Sequence, residues 1–213
     1  MNRYIVTIIF ILCCLLKIDA QSLCLQSVKD ICDKMSSTQL PIKIGNAKKG
    51  YSYSDVFGKM NKSQLRSLID MAEVVSYGNP LDSVVILNIG DRCLYFRVNT
   101  ESPIATYEDI LNIYDETGNE ILYKGDKLLF AAVIDDPDGF VNIRSKPSKG
   151  AKIVNKIMKN QVFFYFPVRG TRWCKVYIEE GGPCVGYIYH DRILPYERCT
   201  PEIKKKIEHI LVC

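Results

Sequence analysis

Apolar and polar residues change rhythm twice along this chain. In CLQSVKDICDKM, residues 24–35, Leu25, Val28, Ile31 and Cys32 recur at helical spacing. A second helix is predicted in NKSQLRSLIDMAEVVSYGNP. Asn61 or Ser63 caps its start, Leu65, Leu68, Ile69, Ala72 and Val75 form one stripe, and Gly78 and Pro80 end it. Between them, Leu40–Ile44 is a short extended piece and Gly45–Gly50 a loop. Short β-rich runs then take over. Ser83–Ile89 and Cys93–Val98 flank Gly90-Asp91-Arg92 as a hairpin, and Ile110–Tyr114 and Glu120–Tyr123 flank Thr117-Gly118-Asn119 as another. Helices followed by antiparallel strands predict an α+β domain over residues 21–131.

Beyond Phe130 the strands shorten and the breaks become regular. Strands are predicted at Phe140–Arg144, Lys152–Met158, Gln161–Phe166, Trp173–Ile178, Val185–Tyr189 and Arg192–Leu194. Gly, Pro, Asn and Asp punctuate the gaps. This spacing predicts a small all-β barrel over 132–198, whose closure would remove exposed edges. Residues 199–213 form a C-terminal helix in which Thr200 caps, Pro201 opens, and Ile203, Ile207, Ile210 and Leu211 face inward. Lys204, Lys205 and Lys206 make its solvated side. No polar linker separates the halves, so the two parts are expected to pack together. In Gln161–Phe166, Val162, Phe164 and Phe166 point one way and Phe163 and Tyr165 the other. A small barrel buries only one set, and the first domain is expected to cover the other.

The first twenty residues change the picture of compartment. Arg3 precedes the apolar run Ile5–Leu16, and Ala20 suits the position before a cut. The run is shorter than the ~20 apolar residues that span a bilayer. This is the pattern of a secretory signal peptide over 1–20, with a periplasmic or secreted product. Export permits disulfides. The remaining cysteines are Cys24, Cys32, Cys93, Cys174, Cys184, Cys199 and Cys213, an odd set that leaves at least one unpaired in the monomer. Cys24 and Cys32 stand about 12 Å apart along a helix, too far for a bond that needs about 6 Å. Cys199 and Cys213 bracket the last helix and are excluded alike, while Cys184 with Cys174 or Cys199 stays open.

The net charge of +4 on 213 residues signals no nucleic-acid binding, which needs basic residues gathered on one face. No CxxC pair occurs and only His190 and His209 are present, which argues against zinc. Asp135, Asp136 and Asp138 before Gly139 lack the later Glu of an EF-hand loop and read as a turn. No phosphate loop or nucleophile elbow is present.

Several pieces of the second half together resemble the bacterial SH3-like family called SH3b. They are Val141-Asn-Ile-Arg144, Pro147-Ser148, Ala151-Lys-Ile-Val154, Lys156-Ile157, Trp173-Cys-Lys-Val176 and Gly186-Tyr-Ile-Tyr189. The resemblance covers about 133–195. Asn155 and Asn160 stand where the family usually has Gly, and Asn is the residue that best tolerates a left-handed turn in its place. The resemblance implies a non-catalytic module that recognises peptide or peptidoglycan, without a cofactor. The residue chemistry nominates Trp173, Tyr177, Tyr187 and Tyr189 for the ligand surface, since Tyr and Trp give contact area at low entropy cost. Arg144 is expected to pin a strand end. Two rival readings are a Cys/His cell-wall hydrolase, with His190 or His209 activating Cys24, Cys93 or Cys174, and an exported structural or inhibitory partner protein.

Overall fold

The two runs either side of Gly90-Asp91 form the longest hairpin of the chain. The computed structural model describes residues 21–38, 40–44, 49–76, 81–101, 104–122, 128–168 and 170–212. The expected signal peptide, the Gly78–Pro80 stop, Tyr123 and Cys213 lie outside them. Strands β2 (Asp82–Ile89) and β3 (Arg92–Asn99) pair antiparallel along their full length, with Gly90 at φ 56° in the turn. β4 (Ile110–Tyr114) and β5 (Glu120–Leu122) extend the sheet on one side and β1 (Glu73–Val75) on the other, giving the order β1-β2-β3-β4-β5.

Three helices cover one face of this sheet. They are α1 (residues 21–37), α2 (Tyr53–Phe57) and α3 (Lys62–Asp70). Val28, Ile31, Leu65 and Ile69 meet Val85, Leu87, Leu94 and Phe96 there. The alternate residues Val84, Tyr95 and Tyr114 point to the second sheet instead, so period-two patterning assigns each side chain its partner layer. Asn61 is the cap of α3, its Oδ1 accepting from Ser63 N at 2.8 Å. The predicted stripe runs too far: α3 stops at Asp70, and Val75 sits in β1, paired with Val84. Val74 and Val75 are β-branched, and β2 offers them a ladder.

The second sheet has the order β12-β6-β9-β10-β11-β7-β8 and is antiparallel throughout. Its strands are β6 (Phe130–Ile134), β7 (Phe140–Arg144), β8 (Ile153–Met158), β9 (Phe163–Pro167), β10 (Trp173–Tyr177), β11 (Gly186–Tyr189) and β12 (Ile193–Pro195). The expected closed barrel appears here as a ladder with two ends, β12 and β8. Among the described residues no strand pairs beyond β8, and Ile153, Val154 and Met158 stand 46%, 46% and 53% exposed along it. β6, expected to straddle the domain boundary, lies inside this sheet between β12 and β9 with every residue buried. Asn160 takes a left-handed turn at φ 64° as expected, whereas Asn155 lies in β8 beside a register shift.

The sheets pack through one aromatic knot. Phe166 of β9 lies 5.0 Å from the ring of Tyr95, 6.2 Å from Tyr114 and 6.1 Å from Phe130. Gly118, in the β4–β5 turn, approaches the same ring so closely that a Cβ there would sit 2.9 Å from Phe166 Cδ1. Beside it Lys175 Nζ donates to Thr117 O at 2.7 Å. Phe163, Phe164, Tyr165 and Phe166 are all buried, and the first sheet supplies the cover over Phe166. Helix α4 (Pro201–Val212) docks by Ile207, Ile203 and Leu211, while Ile210, expected to face inward, is 42% exposed.

The expected disulfides do not form among the described residues. Cys24, Cys32, Cys93, Cys174 and Cys199 are buried thiols and Cys184 an exposed one, and no two of them are bonded to each other. Each buried thiol packs as a small apolar group in one of the two cores.

Candidate ligand groove

Register decides which aromatic residues share a surface. Trp173 pairs with Tyr189 across β10 and β11, and Lys175 pairs with Tyr187, which pairs in turn with Arg144 of β7. Side chains alternate along each strand, so Trp173, Lys175, Tyr177, Tyr187 and Tyr189 all leave the sheet on one side, opposite Cys174, Val176 and Ile188 of the core. The four nominated residues therefore share a face but not a site.

At one end of that face a groove of about 600 Å³ opens between β7, β10, β11 and the one-turn helix His190–Arg192. Trp173 and Tyr189 form its aromatic wall, ring centroids 5.4 Å apart and edge to face. Arg172 lies 5.1 Å and Lys149 5.7 Å from the centre of the Tyr189 ring, within cation–π range. At the other end the first sheet takes over. Tyr187 stands beside Lys175, which is tied to Thr117, and lies outside the groove. Tyr177 is buried, and that burial, with smaller contributions from Cys184 and Tyr187, pushes its hydroxyl up to about 12.

Ion pairs fix the groove's far rim. Arg192 Nη1 donates to Asp136 Oδ2 at 2.6 Å, and Arg172 binds Asp191. The Arg172 hydrogen bond holds the Asp191 carboxyl below its ordinary range. Asp136 also accepts from Asp138 N at 3.0 Å, which makes the acidic run a braced turn, the role read from sequence. Arg144 Nη1 donates to Ala151 O at 2.8 Å and pins the end of β7, again as read. Phe140, Asn142 and Arg144 line the floor. Asn142 lines the groove, and its side-chain oxygen is buried with no hydrogen-bond partner among the described residues.

Sequence reasoning missed Phe140, Asn142, Asp136 and Arg192 as groove residues. The signal existed in Phe140-x-Asn142-x-Arg144, which alternates against core-facing Val141 and Ile143. The thiols needed for Cys/His chemistry are poorly placed. Burial raises Cys24 and Cys32 to about 11 and Cys174 to about 12, which disfavours the thiolate nucleophile. The described cysteines do not line the groove. No protein-family model matches the chain, and no curated protein matches it.

Proposed function

We propose that this is an exported, non-catalytic binding protein whose SH3-like second half recognises a peptide or peptidoglycan fragment in the Trp173–Tyr189 groove. The observation that carries the reading is the combination at one place of the Trp173–Tyr189 pair, two cations over Tyr189 and the Asn142 amide in the lining. Such a surface suits a ligand with amide donors and a carboxylate, the two groups that peptide stems present. The strand positions of Val141–Arg144, Trp173–Val176 and Gly186–Tyr189 support the SH3-like resemblance. The first domain covers the other end of the same face, through Phe166 and Lys175, and leaves the groove end open.

The test is co-sedimentation with purified peptidoglycan. Wild-type protein is expected in the pellet. Trp173→Ala and Tyr189→Ala each lose at least about tenfold in affinity, the scale of a removed aromatic anchor, and Tyr187→Ala does not. Wild-type protein that stays in solution, or equal loss in all three variants, refutes the reading. A second reading, a proteinaceous partner, is favoured by the exposed apolar residues Ile153, Val154 and Met158 on the end strand. A stoichiometric protein bound to purified material, lost on Val154→Lys, would select it.

A further inference from the structure

A second, smaller cavity of about 260 Å³ lies where the two sheets diverge, below the size of ordinary small-molecule pockets. One wall is a row across the first sheet. Glu73 pairs with Ile86 and Ile86 with Tyr95, so the three project together. The facing wall is Phe130 and Tyr165, paired across β6 and β9 with ring centroids 5.7 Å apart. Phe130 also meets Tyr95 at 6.2 Å, edge to face, which joins the two walls at the base. Glu197, on the short turn Tyr196–Arg198, lines it together with Glu73 and lies near enough to feel its charge. The slot is thus aromatic and aliphatic within, with one carboxylate from the first sheet and one from the turn after β12 in its lining.

That arrangement has a chemical complement. Methylenes gain by leaving water against Val75, Ile86 and the rings. An ammonium gains from ring faces and from two carboxylates at once. We propose that the slot between the sheets binds a single alkylammonium group, such as a lysine-type side chain, clamped by Glu73 and Glu197. The volume admits a side chain of that length. The turn His190–Arg192 separates the slot from the Trp173 groove, with His190 lining the first and Asp191 and Arg192 the second. The slot needs neither Trp173 nor Tyr189, so the inference stands apart from the function proposed above.

The surroundings of Glu197 pull its carboxyl in two directions. Desolvation at the slot raises its carboxyl, although the residue as a whole is exposed, and the charge of Glu73 adds to the rise. Lys204 opposes it from helix α4, and its ammonium lies 5.2 Å from the Tyr196 ring. His190, 62% exposed, stands at the mouth.

The test uses n-pentylammonium chloride, with 1-pentanol as the uncharged equivalent, titrated into the purified protein and followed by methyl NMR. The expected result is saturable movement of the Val75 and Ile86 methyl signals with the ammonium and binding of pentanol at least about tenfold weaker. Glu73→Gln and Glu197→Gln keep shape and remove charge, and each is expected to weaken the ammonium by about three- to tenfold. Glu73 is exposed, so its variant reports even where the Glu197 variant folds poorly. Equal affinity for pentanol, shifts that never saturate or that map away from Val75 and Ile86, or unchanged affinity in either folded variant overturns the proposal.

Discussion

Adding one methyl group at Gly118 sets the β4–β5 turn against the knot that joins the sheets. An Ala Cβ there would lie 2.9 Å from Phe166 Cδ1, 3.0 Å from Cγ and 3.2 Å from Cε1. The ring has nowhere to go, being 2% exposed and hemmed by Tyr95, Tyr114 and Phe130. Two costs combine. Gly118 has φ +77°, where an L side chain costs about 1–2 kcal/mol. Overpacking a filled core adds about 1–3 kcal/mol. Gly118→Ala should therefore lose about 2–5 kcal/mol, lowering the thermal midpoint by roughly 4–20 °C for a chain of this size. Gly139 provides the control, since its φ is +76° and nothing lies within 4 Å of its would-be Cβ. Gly139→Ala carries the backbone cost alone. Urea unfolding followed by tryptophan fluorescence compares the two. Equal losses in both variants would refute the packing of the turn on Phe166.

Three further outcomes are expected. Asn160 holds φ 64°, so Asn160→Ala should cost about 1 kcal/mol in urea unfolding and Asn160→Gly close to nothing; a reversed order would contradict the turn. Burial alone would raise Asp115, but hydrogen bonds from Thr117 and Asn119 outweigh it and hold its carboxyl low. A lowered native value means stability that is full above the unfolded carboxylate range near pH 4 and lost as pH falls through the native one. Unfolding midpoints of wild type and Asp115→Asn should accordingly differ at neutral pH and converge in acid, and a gap that widens in acid would contradict this sign. With Cys24 and Cys32 near 11 and Cys174 near 12, on the order of one part in a thousand or less of each is thiolate at pH 8. A thiol reagent followed by peptide mapping should modify exposed Cys184 first and these three only on unfolding; native labelling of Cys174 at the rate of Cys184 would revive the hydrolase reading.

Strands were legible where one residue in two was apolar. The bounds of Phe140–Arg144 follow from that alternation with little error, and the hairpin around Gly90 from two β-rich runs across a Gly-Asp turn. What failed was what depends on distant partners. Val75 continues a helical stripe by spacing, yet the open edge of β2 draws it into a ladder. Ile153, Val154 and Met158 look like barrel staves, yet no strand among the described residues arrives to cover them. The groove was half legible for the same reason. Period two puts Trp173, Tyr177, Tyr187 and Tyr189 on one surface, and only the docking of Thr117 and Gly118 against Lys175 and Phe166 decides which end stays open. Those contacts join residues about fifty apart in the chain, beyond the reach of any local pattern.

Ionic strength acts directly on the last strand of the second sheet. Lys146, Lys149, Lys152, Lys156 and Lys159 all stand exposed on or beside it, so two molecules approaching edge to edge meet mutual repulsion before their backbones can zip together. That repulsion reaches about 8 Å at physiological salt and about 3 Å at 1 M. Concentrated salt thus removes the guard while strengthening the attraction between the bared isoleucine, valine and methionine, and the protein keeps its dispersed state best in dilute buffer.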